Sequence, residues 1–242
     1  MNKKGFLILE SSESYSGRWL GGKDRAGEVV FNTSHCGYEE IATDPSYFSQ
    51  IMVMTAPMQG NYGSRIEDSE SSQPHIQGFI ALEIQNTKDN SSWKTRLENS
   101  GIPLLDSIDT RKLVLRLRES GTPWGALIQA ENLDEARGKA KGLIDKLKAE
   151  DSDWVWAVSR KSPEEFKGNT ANGPRVALLD YGAKQNIIRE LQKTCSAVKV
   201  FPSRATAKEI QAWEPNGIML SNGPGDPDNV KVAVQTIKDL LG

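Results

Sequence analysis

Short apolar runs separated by turn residues dominate the first part of the chain, and this pattern predicts β-strands. Three of these runs are rich in β-branched and apolar residues, as strands commonly are. They cover residues 28–34, 50–57 and 78–84. The opening segment, residues 1–13, has two lysines and one short apolar run before acidic residues. We interpret it as a first strand, because a secretory signal needs a longer apolar core.

Two segments of the first part have helical spacing instead. Leu113 and Leu117 share one face of a segment that Asp109 can cap and that ends before Gly121. Residues 134–149 predict a second helix with a charged face. The first part therefore predicts a mixed β/α domain.

Residues 159–173 separate two different patterns. This stretch is polar, contains Pro163 and two glycines, and shows little sustained periodicity. Such a composition is typical of a linker. We therefore predict a first domain over residues 1–158, a linker over residues 159–173 and a second domain over residues 174–242.

The second domain alternates apolar runs with amphipathic segments. The runs RVALLDYG, AVKVFP and GIMLSNG are each followed by a segment with helical spacing. This order predicts parallel strands joined by right-handed crossovers, in a doubly wound α/β sheet. Ligands of such sheets bind beyond the carboxyl ends of the strands, and the loop after Leu220 lies at such an end.

Composition narrows the classes of function. The chain has 242 residues, of which 37% are hydrophobic and 26% are charged, as in ordinary globular proteins. Its net charge of -2 supplies no basic surface, so we expect no binding to nucleic acid or to anionic membranes. No apolar run is long enough to span a bilayer.

The cysteines and histidines indicate no metal site. Cys36 and Cys195 are far apart in the sequence, which is typical of a reduced cytoplasmic chain without a disulfide framework. His35 and His75 do not combine with them in a metal-binding spacing. We therefore expect a cytoplasmic protein that binds no metal.

The turn GPGDP, residues 223–227, has three interpretations. A phosphate loop is disfavoured, because no Lys-Ser or Lys-Thr follows the glycines and Asp226 adds a carboxylate. The glycines could serve only the backbone angles of a tight turn. Alternatively, their unshielded N–H groups could stabilise a developing oxyanion. The residues alone leave the last two interpretations open.

Longer motifs carry a resemblance to a known family. LSNGPGDP, preceded by LLDYGAKQNIIREL, is similar to the start of a class I glutamine amidotransferase domain. GEVVFNTSHCGYEEIATDPSYFSQI, APMQGNYG, ESSQPHIQGFI and GIPLLDSIDTRKLVLRLRESG resemble the N-terminal domain of small subunits of carbamoyl phosphate synthetases. The resemblance covers nearly the whole chain. It implies a mixed β/α N-terminal domain of the small-subunit type, followed by the first half of a doubly wound class I amidotransferase domain.

The resemblance also implies a function. In this family the small subunit hydrolyses L-glutamine to glutamate and ammonia through a cysteine thioester. A large subunit, the expected partner, receives the ammonia and uses bicarbonate and two ATP to make carbamoyl phosphate, a precursor of arginine and pyrimidines. The resemblance therefore implies a cytoplasmic heterodimer. It implies no cofactor in the small subunit, because Mg-ATP is used by the partner.

Four residues match positions that bind the substrate in the family. Gly223 would supply an oxyanion-hole N–H and Gly225 would contact the glutamine. Ser46 would reach the same substrate, and Lys184 would lie beside it. From the residues alone, Lys184 could equally be a solvated lysine at a helix start, and Ser46 could be a turn serine.

The chain departs from the family in its catalytic residues. The nucleophile motif Gly-x-Cys-x-Gly and the later His-x-Glu pair would lie beyond Gly242, so we assign no catalytic residue. His35 and Cys36, which we place at a strand end, would point to opposite faces. Cys195 follows a helix and is interpreted as a buried or half-buried thiol.

Two functional readings remain. One is a truncated glutamine-hydrolysing subunit that is inactive alone, because oxyanion stabilisation without a nucleophile loses most of the rate. The other is a catalytically inactive interaction module that docks on the large subunit. In either case, an uncovered strand edge and apolar helix face predict self-association.

Overall fold

The computed structural model describes residues 3–85, 93–150 and 153–241. The strands are β1 (Lys3–Leu9), β2 (Ser14–Gly21), β3 (Arg25–Asn32), β4 (Gln50–Met54), β5 (Met58–Gln59), β6 (Gly78–Ile80), β7 (Glu83–Ile84), β8 (Leu104–Asp106), β9 (Trp124–Gln129), β10 (Glu164–Lys167), β11 (Arg175–Asp180), β12 (Ala197–Pro202) and β13 (Gly217–Leu220). The α-helices are α1 (Tyr38–Thr43), α2 (Trp93–Asn99), α3 (Thr110–Ser120), α4 (Leu133–Ala149), α5 (Trp154–Val158), α6 (Gln185–Thr194), α7 (Ala207–Gln211) and α8 (Lys231–Leu241).

Contacts divide the chain into two compact units. The first comprises Met1–Thr43 and Ser49–Glu150, and the second comprises Asp44–Phe48 and Asp151–Gly242. The short segment Asp44–Phe48 thus belongs with the later part of the chain. The domain bounds at residues 158 and 173 remain predictions, and the outer bounds, residues 1 and 242, lie outside the described residues.

The first unit is built on a closed barrel. Its strands follow the order β1, β2, β8, β6, β4, β3 and β9, and the pairing of β9 with β1 closes it. The pairs β3–β4, β4–β6 and β6–β8 are parallel, and the remaining pairs are antiparallel. Closure leaves these strands without a free edge.

Strand β1 is buried on both faces because its side chains alternate between two cores. Leu7 and Leu9 belong to a cluster that also contains Leu113 and Leu117 of α3. Phe6 and Ile8 belong to a second cluster, which includes the buried residues of α4. The first strand is therefore confirmed for its described residues, and both helices contribute the apolar faces that their periodicity predicts.

Side-chain caps mark the starts of helices α3 and α4. Asp109 Oδ1 accepts a hydrogen bond from Lys112 N at 2.9 Å, so the predicted cap of α3 is confirmed. Helix α4 starts one residue earlier than predicted, because Asn132 caps it by accepting from Glu135 N at 3.0 Å. Capping side chains define these helix starts more sharply than apolar spacing does.

The three predicted strands differ from the structure in their bounds, since β3 ends at Asn32 and β4 at Met54, before residues 34 and 57. Residues 78–84 form two strands, since β6 continues the barrel while β7 pairs with β5 in a separate two-stranded sheet. The placement of His35 and Cys36 at a strand end was wrong, because β3 ends at Asn32. Asn32 Oδ1 accepts from Ser34 N at 2.8 Å, and this side-chain turn ends the strand.

The second unit confirms the doubly wound sheet. Its strand order is β10, β12, β11 and β13, with β11 parallel to both β12 and β13. Leu178 packs with Ile188 of α6 on one face, and Leu179 packs with Ile210 of α7 on the other. Strand β10 lies within the predicted linker and pairs antiparallel with β12. That stretch therefore contributes a strand to the sheet.

The two edges of this sheet differ in chemistry. Strand β10 has the sequence EEFK, and its charges oppose pairing with another chain. Strand β13 has the sequence GIML and carries no charge. Ile218, Met219 and Leu220 are 43%, 37% and 45% exposed. Within the described part of the chain, β13 is therefore the edge that can pair with a further strand.

We expect the chain to self-associate at high concentration through β13, and Ile218→Lys to weaken that association, because a lysine at a strand edge must be desolvated on pairing. Sedimentation velocity over a concentration series measures this. Leu115→Lys is the matched control, since Leu115 in α3 is 51% exposed and lies in the first unit. A monodisperse unmodified chain, or equal effects of both variants, would contradict the expectation.

Candidate functional site

The turn after β13 is held against the turn after β11. Ser221 N donates to Leu179 O at 3.1 Å. The Ser221 hydroxyl accepts from Tyr181 N at 2.9 Å and donates to Asn222 O at 2.7 Å. These bonds join the carboxyl ends of two adjacent parallel strands, where ligands of such sheets bind.

The two predicted glycines are required for different reasons. A side chain at Gly223 would collide with the Tyr181 carbonyl oxygen, so this position needs a close approach between two backbones. Gly225 has φ +77°, in the left-handed region that favours glycine. Glycine at these two positions therefore allows a close approach and a backbone conformation that a side chain would prevent.

Ser46 lies beside this turn within the second unit. Asn222 Nδ2 donates a hydrogen bond to Ser46 Oγ, and it also donates to Gly182 O at 3.3 Å. Asn222 Oδ1 is buried and has no partner among the described residues. The site thus combines a hydroxyl, the side-chain amide that bonds to it and the glycine backbone.

One carboxylate positions both Ser46 and Lys184. Asp44 Oδ1 accepts from Ser46 N at 2.9 Å and caps the short 3-10 turn Pro45–Tyr47. Asp44 Oδ2 forms an ion pair with Lys184 Nζ at 2.8 Å, and the Asp44 side chain is buried. Lys184 immediately precedes α6, so it is a helix-start lysine with its ammonium held by Asp44. Its charge is therefore neutralised next to the serine.

An apolar pocket lies behind the turn. Its volume is about 240 Å³, and Tyr181, Leu220 and Pro224 are among its lining residues together with α8 side chains. The Tyr181 hydroxyl is buried and has no partner among the described residues. Burial raises the pKa of Tyr181 to about 12, so the phenol stays neutral at physiological pH.

Other chemically active side chains lie elsewhere. Cys36 is exposed and Cys195 is buried at the end of α6, as expected for the latter. In the described ranges, no group of three or more His, Cys, Asp or Glu side chains could hold a metal ion. Among the helices that can be described, none is long and apolar enough to cross a membrane.

Comparison with known proteins identifies the family. Residues 7–127 match "Carbamoyl-phosphate synthase small chain, CPSase domain" and residues 177–242 match "Glutamine amidotransferase class-I". The carbamoyl phosphate synthase small chain of Clostridium perfringens is 41% identical over 245 residues, which is 99% of this chain and 68% of that protein. The chain belongs to the carbamoyl phosphate synthase small chain family.

Two other small chains of this family are similar to this chain over nearly its whole length. The small chain of Bacillus caldolyticus is 42% identical over 243 residues, covering 98% of this chain and 64% of that protein. The small chain of Staphylococcus haemolyticus is 38% identical over 249 residues, covering 100% of this chain and 66% of that protein. The chain thus spans about two thirds of the length of these relatives, and the predicted family membership is confirmed.

Three site residues were missed by the sequence reasoning. Asp44 caps the serine turn and Asn222 bonds to Ser46. Asp180 Oδ1 accepts a hydrogen bond at 3.0 Å from Gly182 N, in the turn after β11. The Asp-Pro-Ser sequence was a usable signal for the first, because Asp before Pro is a common turn cap. Asn222 had no such signal, because its bond to Ser46 joins residues 176 apart, and Asp180 bonds both to the turn that follows it and to Arg160, 20 residues earlier.

We expect Tyr181→Phe to leave stability unchanged or slightly raised, because the lost hydroxyl is buried without a partner. Tyr38→Phe is the matched control, since the buried Tyr38 hydroxyl donates to Gly63 O at 2.6 Å. That variant should lose about 1–2 kcal/mol. Urea unfolding at neutral pH measures both, and an equal loss in both variants would contradict the assignment of the Tyr181 hydroxyl as unpartnered.

Proposed function

We propose that Ser46 and the turn of residues 222–225 bind L-glutamine in a carbamoyl phosphate synthase small chain. The observation that carries the proposal is the bond between Asn222 Nδ2 and Ser46 Oγ, which brings two motifs 176 residues apart into one site. The family of the chain supports the same ligand, because the second match is to class I glutamine amidotransferases.

The chemistry of the site suits a neutral, zwitterionic ligand. Asp44 and Lys184 compensate each other's charge at 2.8 Å. The hydroxyl of Ser46 and the backbone at Gly223 are uncharged groups that can bond to amino, carboxylate and carboxamide atoms. A phosphate ligand would need cationic partners, and Asp226 in the same turn disfavours it.

In the proposed reaction, a cysteine thiolate attacks the carboxamide carbon of glutamine. The carbonyl oxygen becomes an oxyanion, and the Gly223 N–H would stabilise it, since backbone donors are most effective where charge develops. Once a proton is transferred to the leaving nitrogen, the tetrahedral intermediate collapses to ammonia and a thioester, and water hydrolyses the thioester to glutamate and the free thiol. The nucleophile is not assigned to a described residue; the described residues hold the substrate and the oxyanion.

Ser46→Ala should weaken L-glutamine binding by about three- to tenfold, as expected for the loss of one well-placed hydrogen bond. Isothermal titration calorimetry with the purified chain measures the affinity. Ser120→Ala is the matched control, because the exposed Ser120 hydroxyl donates to Arg116 O in its own helix at 2.9 Å and Ser120 lies in the first unit, apart from the candidate site.

The two variants separate a binding role from a general loss of stability. The proposal predicts a lower affinity for Ser46→Ala alone, with L-glutamate binding more weakly than L-glutamine to the unmodified chain. No detectable L-glutamine binding by the unmodified chain, or equal affinities of the two variants, would overturn it.

The first unit supports a second proposal, that of docking on a large subunit. Residues 7–127 match the synthase domain of the small chain family and lie outside the amidotransferase match. Because this domain is separate from the amidotransferase domain, we propose that it binds the large subunit, which uses the ammonia. As a pure interaction module, the chain would bind this partner without binding glutamine.

We expect the chain to co-elute with the large subunit of a bacterial carbamoyl phosphate synthase in size-exclusion chromatography. An unrelated protein of similar mass to the large subunit serves as the negative control. Separate elution of the two chains at micromolar concentration, with both folded by circular dichroism, would argue against this partner.

A further inference from the structure

A buried carboxylate lies beneath the candidate site. Asp180, the last residue of β11, is 2% exposed. Its Oδ1 accepts from Gly182 N at 3.0 Å and from Ala183 N at 2.8 Å. Its Oδ2 accepts from Arg160 N at 2.9 Å and from Arg160 Nη1 at 3.3 Å. Four donors therefore satisfy a charge that burial alone would make unfavourable.

These bonds define the backbone of the turn after β11. Gly182 has φ +126°, a conformation that side-chain-bearing residues rarely adopt. A side chain there would also approach Pro224 Cδ at 3.2 Å and Gly223 Cα at 3.3 Å. The turn held by Asp180 is therefore in direct contact with the glycine turn.

The same turn also holds the amide that contacts Ser46. The Gly182 carbonyl accepts from Asn222 Nδ2, which in turn donates to Ser46 Oγ. A displacement of residues 181–183 would move the Asn222 amide and the Tyr181 carbonyl that lies under Gly223. The Asn222 amide and the close contact at Gly223 are thus both supported by backbone that Asp180 bonds.

We propose that Asp180 is a positioning residue that orients the glycine turn and Asn222 for the ligand through the backbone of residues 181–183. This inference rests on the proposed glutamine site for its functional meaning. Among the described residues, Asp180 makes no hydrogen bond to Ser46, Asn222 or Gly223, so its effect is transmitted through the turn.

Asp180→Asn provides the sharpest test. An amide has one acceptor oxygen and one donor nitrogen, so one of the two donor pairs would face another donor. That mismatch leaves buried N–H groups unbonded, which costs more than the loss of a balanced hydrogen bond. Glu164→Gln is the charge-matched control, because Glu164 accepts from Arg160 Nε at 3.0 Å and, among the described residues, has no hydrogen bond to residues 181–183.

Two measurements are made on each variant of the full chain. Hydrogen exchange followed by mass spectrometry should show about tenfold faster exchange over residues 221–225 in Asp180→Asn, with β12 unchanged. Calorimetry should show about tenfold weaker L-glutamine binding. Glu164→Gln should remain within about twofold of the unmodified chain in both measurements.

The outcomes distinguish this inference from the proposed function. If the unmodified chain does not bind L-glutamine, the proposed function fails, while exchange over residues 221–225 still tests the role of Asp180. Uniformly faster exchange that includes β12 would indicate a merely stabilising residue and overturn the inference, as would unchanged exchange at the turn. If Asp180→Asn does not fold, the same two measurements are made on Asp180→Glu, which keeps the charge and displaces the carboxylate. The same outcomes then support or overturn the inference.

Discussion

The close approach of two backbones at the carboxyl ends of β11 and β13 is the constraint on which the candidate site depends. The Tyr181 carbonyl lies where a side chain of residue 223 would be, so the turns can meet only if that residue is glycine. The contact brings Asn222 within reach of both Gly182 O and Ser46 Oγ. The parallel pairing of β11 with β13 sets this geometry, since it ends both strands at the same edge.

Carboxylates rather than apolar contacts organise the polar groups around this edge. Asp44 divides its two oxygens between the Ser46 amide and the Lys184 ammonium. Asp180 divides its oxygens between one turn and Arg160. A buried carboxylate with bonds on both oxygens is directional, so it fixes the relative placement of the groups that it joins.

Local patterns were sufficient for most elements of the second unit. Apolar runs and helical spacing predicted the order of strands and helices from β11 to α8, because each element has a continuous apolar face and a clear end. Strand β10 escaped prediction because four mostly charged residues at a sheet edge have no apolar period. Residues 78–84 were predicted as one strand because no local signal shows that β7 leaves the barrel to pair with β5.

The sequence by itself determined the family, the doubly wound order, the capped helix α3 and the two glycines of the turn, because these are properties of short continuous motifs. Only the tertiary structure decided that Ser46 meets Asn222, that Asp44 neutralises Lys184 and that Asp180 bonds to Arg160. The physical reason is that these bonds join atoms far apart in sequence. Their distances depend on how strands pair, which local periodicity does not encode.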